Sequence, residues 1–270
     1  MKQSSALAIW TVRPEAELIG IKLSQELGAK LYRPWLDRNG ELENQSQKDK
    51  FAKAFKDHSA WVLVMASGIA VRLLTGLPED KHSDPAVVVI DEACRYAIPL
   101  LGGHEGGAND LANRLANIFG AVPVVTTATE ALKPLVLGIG CRKGVTLLQV
   151  ESAVSEALLQ IKGSDDEKTL SSVRELVTVD LKKHEPALLE FSAKHQLPLR
   201  WFSSADIAAR AWTGQPSEWV RQAIGLDGVC EPCALMAGSR GRLLVPKTTL
   251  DGVAVAIVED RTILRGEFRD

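Results

Sequence analysis

Residues 86–119 read AVVVIDEACRYAIPLLGGHEGGANDLANRLANIF, and the reading of this stretch decides the fold. Ala86 to Ile90 is an unbroken apolar run bounded by Pro85 and Asp91, the pattern of a strand buried on both faces. Tyr96 to Leu101 is a second apolar run. Ala108 to Phe119 carries apolar residues at helical spacing. Between run and helix lies Leu100-Leu-Gly-Gly-His-Glu-Gly-Gly-Ala-Asn109. Its glycines let the backbone approach a ligand closely and take positive φ. A histidine in that setting can move protons. The same decapeptide also fits a tight strand-to-helix turn with an incidental histidine, and alone it does not separate the two.

Outward from this stretch, short apolar runs alternate with amphipathic ones. Ala6 to Val12, Lys30 to Pro34 and Ala60 to Ala66 read as strands. Glu15 to Leu27, Lys48 to Lys56 and a run starting at Gly68 read as helices, and Val122 to Thr127 as a strand. Arg38 to Gln47 is polar and reads as a loop. A boundary falls at Glu130 to Pro134. Beyond it, Leu135 to Ile139, Leu176 to Leu181, Leu197 to Phe202 and Val253 to Val258 read as strands. Gly140 to Gly144 reads as a glycine-bracketed turn, and Gly163 to Leu170 as a polar loop. Thr146 to Ile161, opened by a Thr146/Gln149 capping box, reads as a helix, as do Glu185 to His195, Ser204 to Trp212 and Ser217 to Ile224. The expectation is two α/β domains, residues 1–132 and 133–270, each with a mostly parallel or mixed sheet flanked by helices.

The 270 residues carry a net charge of −2, so no global field draws the chain to nucleic acid or to a membrane. No apolar run has the length of a membrane span. The N-terminus lacks a signal-peptide plan. Cys94, Cys141, Cys230 and Cys233 are too scattered for a disulfide framework, and a reducing cytoplasm is the expected compartment.

Several stretches carry potential chemistry. Asp80-Lys-His-Ser-Asp-Pro85 precedes the buried strand and Asp91-Glu92 follows it. A carboxylate beside a histidine orients its tautomer and stabilises its charged form. Charged turns are also common, and this stretch alone is weak. Arg72 lies four residues after Gly68 at an expected helix start, a setting suited to a carboxylate or phosphate, or to a plain surface arginine. Gly138-Ile-Gly-Cys-Arg-Lys-Gly144 lacks the lysine of a P-loop and the third glycine of a dinucleotide fingerprint, so nucleotide binding is not expected. Arg142 and Lys143 still form a candidate anion site. Cys141 reads either as a stabilised thiolate or as a buried, inert thiol. Cys230-Glu-Pro-Cys233 has metal-ligand spacing but no second pair, so no metal site is expected.

Together these stretches resemble the CbiG family, the cobalt-precorrin-5A hydrolases of anaerobic cobalamin synthesis. The resemblance lies in Gly68-Ile-Ala-Val-Arg72, Lys81, Asp84 to Glu92, Arg95, Gly103-His104, Gly106-Gly-Ala-Asn109 and Pro123 to Thr129. The second half is similar to the family's C-terminal domain, which also occurs alone as CobE. That likeness rests on Gly138 to Gly144, Lys182 with Glu185, Leu197-Pro198, Pro216-Ser217 and Cys230 to Ala237. Relatives carry a middle domain between these regions. Here Thr129 runs into Leu135 within a few residues, so that domain is expected to be absent or reduced to a linker.

The resemblance implies a carboxylate-rich cobalt tetrapyrrole with a δ-lactone on ring A. It implies that water opens the lactone and that two carbons leave as acetaldehyde, giving cobalt-precorrin-5B. Cobalt arrives within the substrate, and no protein-held cofactor is expected. Such chemistry needs water activation, stabilisation of an oxyanion, and proton removal from a hydroxyl as a carbon–carbon bond breaks. On this reading His104 is the general base, oriented by Asp84 or Asp91. Gly106 and Gly107 N–H groups and Lys81 stabilise negative charge. Gly68 and Asn109 shape the substrate site, and Arg72, Arg142 and Lys143 bind peripheral carboxylates. Glu105 is given no role. Expected partners are the tetrapyrrole and other enzymes of the pathway. Two other readings fit the same residues: a non-catalytic tetrapyrrole carrier, and an α/β module that needs a partner chain.

Overall fold

The computed structural model describes residues 5–36, 46–161, 170–210, 214 and 216–260. Most of the loops expected at Arg38 to Gln47 and Gly163 to Leu170 lies outside the described residues, as does the end of the helix expected to reach Trp212. The chain divides into two units, Met1–Thr127 and Ala128–Asp270.

The first unit opens with β1 (Ser5–Thr11), α1 (Glu17–Leu27), β2 (Lys30–Tyr32), α2 (Gln47–Ala54), β3 (His58–Val64) and α3 (Ser67–Leu74). It continues with β4 (Ala86–Ile90), β5 (Tyr96–Leu101), α4 (Ala108–Phe119) and β6 (Val122–Pro123). The strands form a six-stranded sheet in the order β2-β1-β3-β4-β5-β6. Neighbours run parallel except β4 and β5, which are antiparallel. Leu23 of α1 with Leu111 and Leu115 of α4 covers one face; Phe51, Phe55, Leu73 and Leu74 cover the other. Val88 and Ile90 point into the first layer and Val87 and Val89 into the second, so β4 is apolar throughout.

The strand expected from Val122 to Thr127 stops at Pro123. Val124 N still donates to Ala97 O. The next ladder bond in a parallel pair would need an N–H from Pro99, which has none, so the pairing ends there.

The second unit opens with α5 (Ala128–Ala131), β7 (Leu135–Cys141), α6 (Leu147–Leu159), β8 (Val173–Val179), α7 (Pro186–His195) and β9 (Leu199–Phe202). Then follow α8 (Ser204–Ala208), α9 (Glu218–Ile224), α10 (Cys230–Ala237), β10 (Arg242–Leu250) and β11 (Val253–Glu259). The five strands lie in the order β10-β11-β7-β8-β9. Only β7–β8 and β8–β9 are parallel, so this sheet is mixed. α6 and α7 pack on one face through Val154, Leu158, Leu188 and Phe191. Ile207 of α8 with Cys233 and Ala234 of α10 packs on the other. Gly140 and Cys141 belong to β7, not to the turn expected from Gly140 to Gly144. The capping box at Thr146 and Gln149 is present.

Candidate functional site

The antiparallel β4–β5 pair builds the site. Its register runs from Ile90↔Ala97 to Val87↔Leu101 and returns the chain to the start of β4. The glycine-rich loop therefore lies at the same sheet edge as the Asp80–Pro85 turn. Gly102 (φ 66°) lies so close to β4 that a Cβ there would stand 3.1 Å from Ala86 Cα. Glu105 reaches across to the neighbouring turn, with Oε2 3.1 Å from His82 Nδ1 and Oε1 3.9 Å from Lys81 Nζ. Lys81, His82, His104, Glu105 and Gly106 are all exposed along this edge.

α4 starts directly behind the loop. Its N-cap, Gly107, takes φ 81° and supplies no side-chain cap, so the first N–H groups of the helix point toward the loop. Asn109 is buried at 8% exposure. Its backbone N donates to Gly103 O (2.9 Å) and its Nδ2 to Thr127 Oγ1 (3.2 Å). Its Oδ1 is buried with no hydrogen-bond partner among the described residues. A Cβ on Gly103 would lie 2.7 Å from Thr127 Cγ2 and 3.3 Å from Asn109 Oδ1, so a side chain there would force Thr127 to move. The first N–H groups of α4 bind carbonyls of the loop itself, Ala108 N to Gly102 O (3.0 Å) among them, so the edge combines an imidazole, a lysine and a buried amide on a loop tied to the helix start.

Neither carboxylate expected to orient His104 does so. Asp84 Oδ2 accepts from Glu79 N (2.7 Å) and Asp80 N (2.9 Å), which pins its own turn. Asp91 is at the opposite end of β4, about 17 Å away for five residues of strand. There its Oδ1 accepts from Arg95 N (2.7 Å) and Tyr96 N (2.8 Å), closing the β4–β5 turn. Gly68 is also at that far edge, because Met65 N donates to Ile90 O just before α3 begins. Arg72 is exposed on the last turn of α3, in the layer opposite α4. The structure therefore groups Lys81, Asp84, His104, Gly106, Gly107 and Asn109, and separates Asp91, Gly68 and Arg72 from them.

Burial pushes the Asp91 carboxyl up, but hydrogen bonds from Tyr96, the Arg95 side chain and Arg95 N outweigh it and hold it below its ordinary value. A depressed carboxylate stabilises the fold above its unfolded pKa and loses that contribution as pH falls through the folded value. We expect Asp91→Asn to lower stability by about 1–2 kcal/mol at pH 7. The difference should fade below about pH 4, as urea unfolding at pH 7 and pH 3 would show.

In the second unit, Arg142 and Lys143 are exposed on the turn after β7. The turn is held by Glu185, itself 7% exposed. Glu185 Oε1 accepts from Gly144 N (2.9 Å) and Oε2 from Lys182 Nζ (3.1 Å). Glu185→Ala leaves both donors without this acceptor, and a loss of about 1–3 kcal/mol is expected in urea unfolding. Cys141 is not activated: burial pushes its thiol up to about 11. Burial likewise pushes Cys230 up to about 12 and raises Cys233 further. Both pack inside α10. Among the described residues, no group of three or more His, Cys, Asp or Glu is arranged to hold a metal ion.

Sequence reasoning missed the meeting of Glu105 with Lys81 and His82. The signal was available: two apolar runs separated by five residues read as a hairpin, which brings the two loops to one edge.

This edge lies within the part of the chain that matches a known family. Residues 49–130 match the cobalamin synthesis G N-terminal model, and residues 135–258 match the cobalamin synthesis G C-terminus model. The chain belongs to the cobalamin synthesis G family. The cobalt-precorrin-5A hydrolase of Salmonella typhimurium is 55% identical over 78 residues, 29% of this chain and 22% of that protein. The match thus spans less than a quarter of that relative's length. The cobalt-precorrin-5A hydrolase of Priestia megaterium is 21% identical over an alignment of 319 residues, 82% of this chain and 84% of that protein. Protein CobE of a Sinorhizobium species is 28% identical over 142 residues, 52% of this chain and 89% of that protein. Among the described residues of this cobalamin synthesis G protein, no helix is long and apolar enough to cross a membrane.

Proposed function

We propose that the protein is a cobalt-precorrin-5A hydrolase, which opens the ring A δ-lactone with water and releases acetaldehyde to give cobalt-precorrin-5B. The observation that carries this reading is the single edge of the first unit that brings His104 and the glycine loop beside Lys81, with Asn109 buried beneath the loop. His104 removes a proton from the attacking water. The Gly106 and Gly107 N–H groups, aided by Lys81, stabilise the oxyanion as the carbonyl becomes tetrahedral. Asn109 supports the loop from below through its bond to Thr127. Asp84 acts at one remove, by fixing the turn that presents Lys81.

Arg142 and Lys143 are a candidate anion site of the second unit by itself, with Glu185 setting their turn. Cobalt belongs to the substrate. The four free thiols suit a reducing compartment, and the reading puts the enzyme in the cytoplasm with the rest of its pathway.

The test is anaerobic incubation of purified protein with cobalt-precorrin-5A, trapping acetaldehyde and recording the product mass. Acetaldehyde with the matching mass loss supports the hydrolase. Stoichiometric binding without acetaldehyde overturns it in favour of a carrier.

A further inference from the structure

The contact that joins the two loops of the site is not used by the mechanism above. His82 Nδ1 stands 3.1 Å from Glu105 Oε2, and Lys81 Nζ stands 3.9 Å from the other oxygen of the same carboxylate. A carboxylate on Nδ1 fixes the imidazole tautomer and turns Nε2 outward as the working nitrogen. The side chains of His82 and Glu105 are 63% and 58% exposed. At that exposure the pair is worth no more than about 1 kcal/mol to the fold. It is therefore poorly suited to holding the loops together and open to a bound molecule. His104 directly precedes Glu105 in the chain, on the same exposed loop.

We propose that His82 is a second proton-transfer group of this site, with Glu105 as its positioning residue. The proposal rests on the hydrolase reading. The reaction moves protons at two places, the attacking water and the ring oxygen that departs, and two groups can serve both places in one step. In the first step His104 takes a proton from water as the new carbon–oxygen bond forms at the lactone carbonyl. The bond from that carbonyl to the ring oxygen then breaks, and the protonated form of His82 gives its proton to the departing oxygen. In the second step the neutral His82 takes that hydroxyl proton back. The carbon–oxygen double bond of acetaldehyde forms, the bond to the macrocycle breaks, and its electron pair enters the macrocycle. His104 returns its proton to the macrocycle. Water and lactone become a carboxylic acid and acetaldehyde, both histidines end as they began, and no oxidant or reductant is needed.

The test uses the full chain with cobalt-precorrin-5A. His82→Gln should lower kcat by about 100-fold or more with KM nearly unchanged. Added imidazole should restore part of the turnover of His82→Ala. Glu105→Gln should lower kcat by about 10-fold at constant KM, and Glu105→Asp should recover most of it. Urea midpoints should stay at the wild-type value, because the pair is exposed. A wild-type kcat for His82→Gln, or equal rates for the two Glu105 variants, overturns the proposal while leaving the hydrolase reading intact. No acetaldehyde from the wild-type protein overturns both.

Discussion

Replacing His104 by alanine is expected to cut acetaldehyde release by about 10²- to 10⁴-fold, the span general-base removal usually covers. Substrate affinity should change little, because the ring is assigned to the water and not to the tetrapyrrole's carboxylates. Folding should be unaffected, since the side chain is exposed at the tip of the loop. The loop itself is held by backbone bonds from Ala108 N to Gly102 O (3.0 Å) and from Asn109 N to Gly103 O (2.9 Å). Single-turnover kinetics with a separate binding titration would divide the two effects. A variant that binds substrate and turns over at the full rate would remove His104 from the mechanism. Loss of binding with normal turnover at saturation would recast it as a substrate ligand.

The second large effect is on stability. Gly138 lies in the middle of β7, under α10. A Cβ there would stand 1.9 Å from Cys230 O, 2.8 Å from Cys230 C and 2.9 Å from Ala234 Cβ. The obstacle is backbone, so no rotamer change relieves it; the helix would have to move off the sheet. That movement would open the layer formed by Val136, Val177, Cys233, Ala234 and Val258. Gly138→Ala is therefore expected to cost at least about 3 kcal/mol and to leave the second unit largely unfolded at moderate urea. Gly68→Ala is the matched control. Nothing lies within 4 Å of the added methyl, and the position is helical, so stability should be unchanged or slightly raised. Circular dichroism and limited proteolysis of the two variants would show the contrast.

The parts of the fold legible in sequence were those where one local rule dominates. Ala86–Ile90, Tyr96–Leu101 and Ala108–Phe119 occur with the bounds their patterns gave. The helix after Thr146 begins where its capping box placed it. What escaped depended on neighbours. β10 escaped because Pro246 and Lys247 interrupt its apolar run, which reads as a strand breaker. It is an edge strand, where a proline is tolerated, and its register shifts between Val245 and Thr248. The turn that joins it to β11, Asp251-Gly252, has positive φ at both residues (46° and 84°), so an Asp-Gly hairpin signal was there to be read.

The candidate site divides along the same line. His104, Gly106, Gly107 and Asn109 share one segment, and their proximity followed from the sequence alone. The placement of Asp91 and Gly68 turned on strand direction, and that of Arg72 on which layer α3 occupies. With β5 antiparallel to β4, the end of β5 and the end of β4 are opposite edges of the sheet. Asp84 lies at the same edge as the glycine loop, but its Oδ2 accepts from two backbone N–H groups of its own turn, which spacing does not reveal.

The turn between β4 and β5 acts as an indexing stop for chemistry at the other end of the sheet. Asp91 and the left-handed Cys94 (φ 54°) fix how many residues the chain spends in reversing. That count determines which residue of β5 meets Val87, and so where the glycine loop leaves the sheet. One residue gained or lost in the turn would slide the strand by one position and exchange the faces of its side chains. The loop would then present His104 out of step with Lys81. A change far from any reacting atom could silence the site without touching a residue in it.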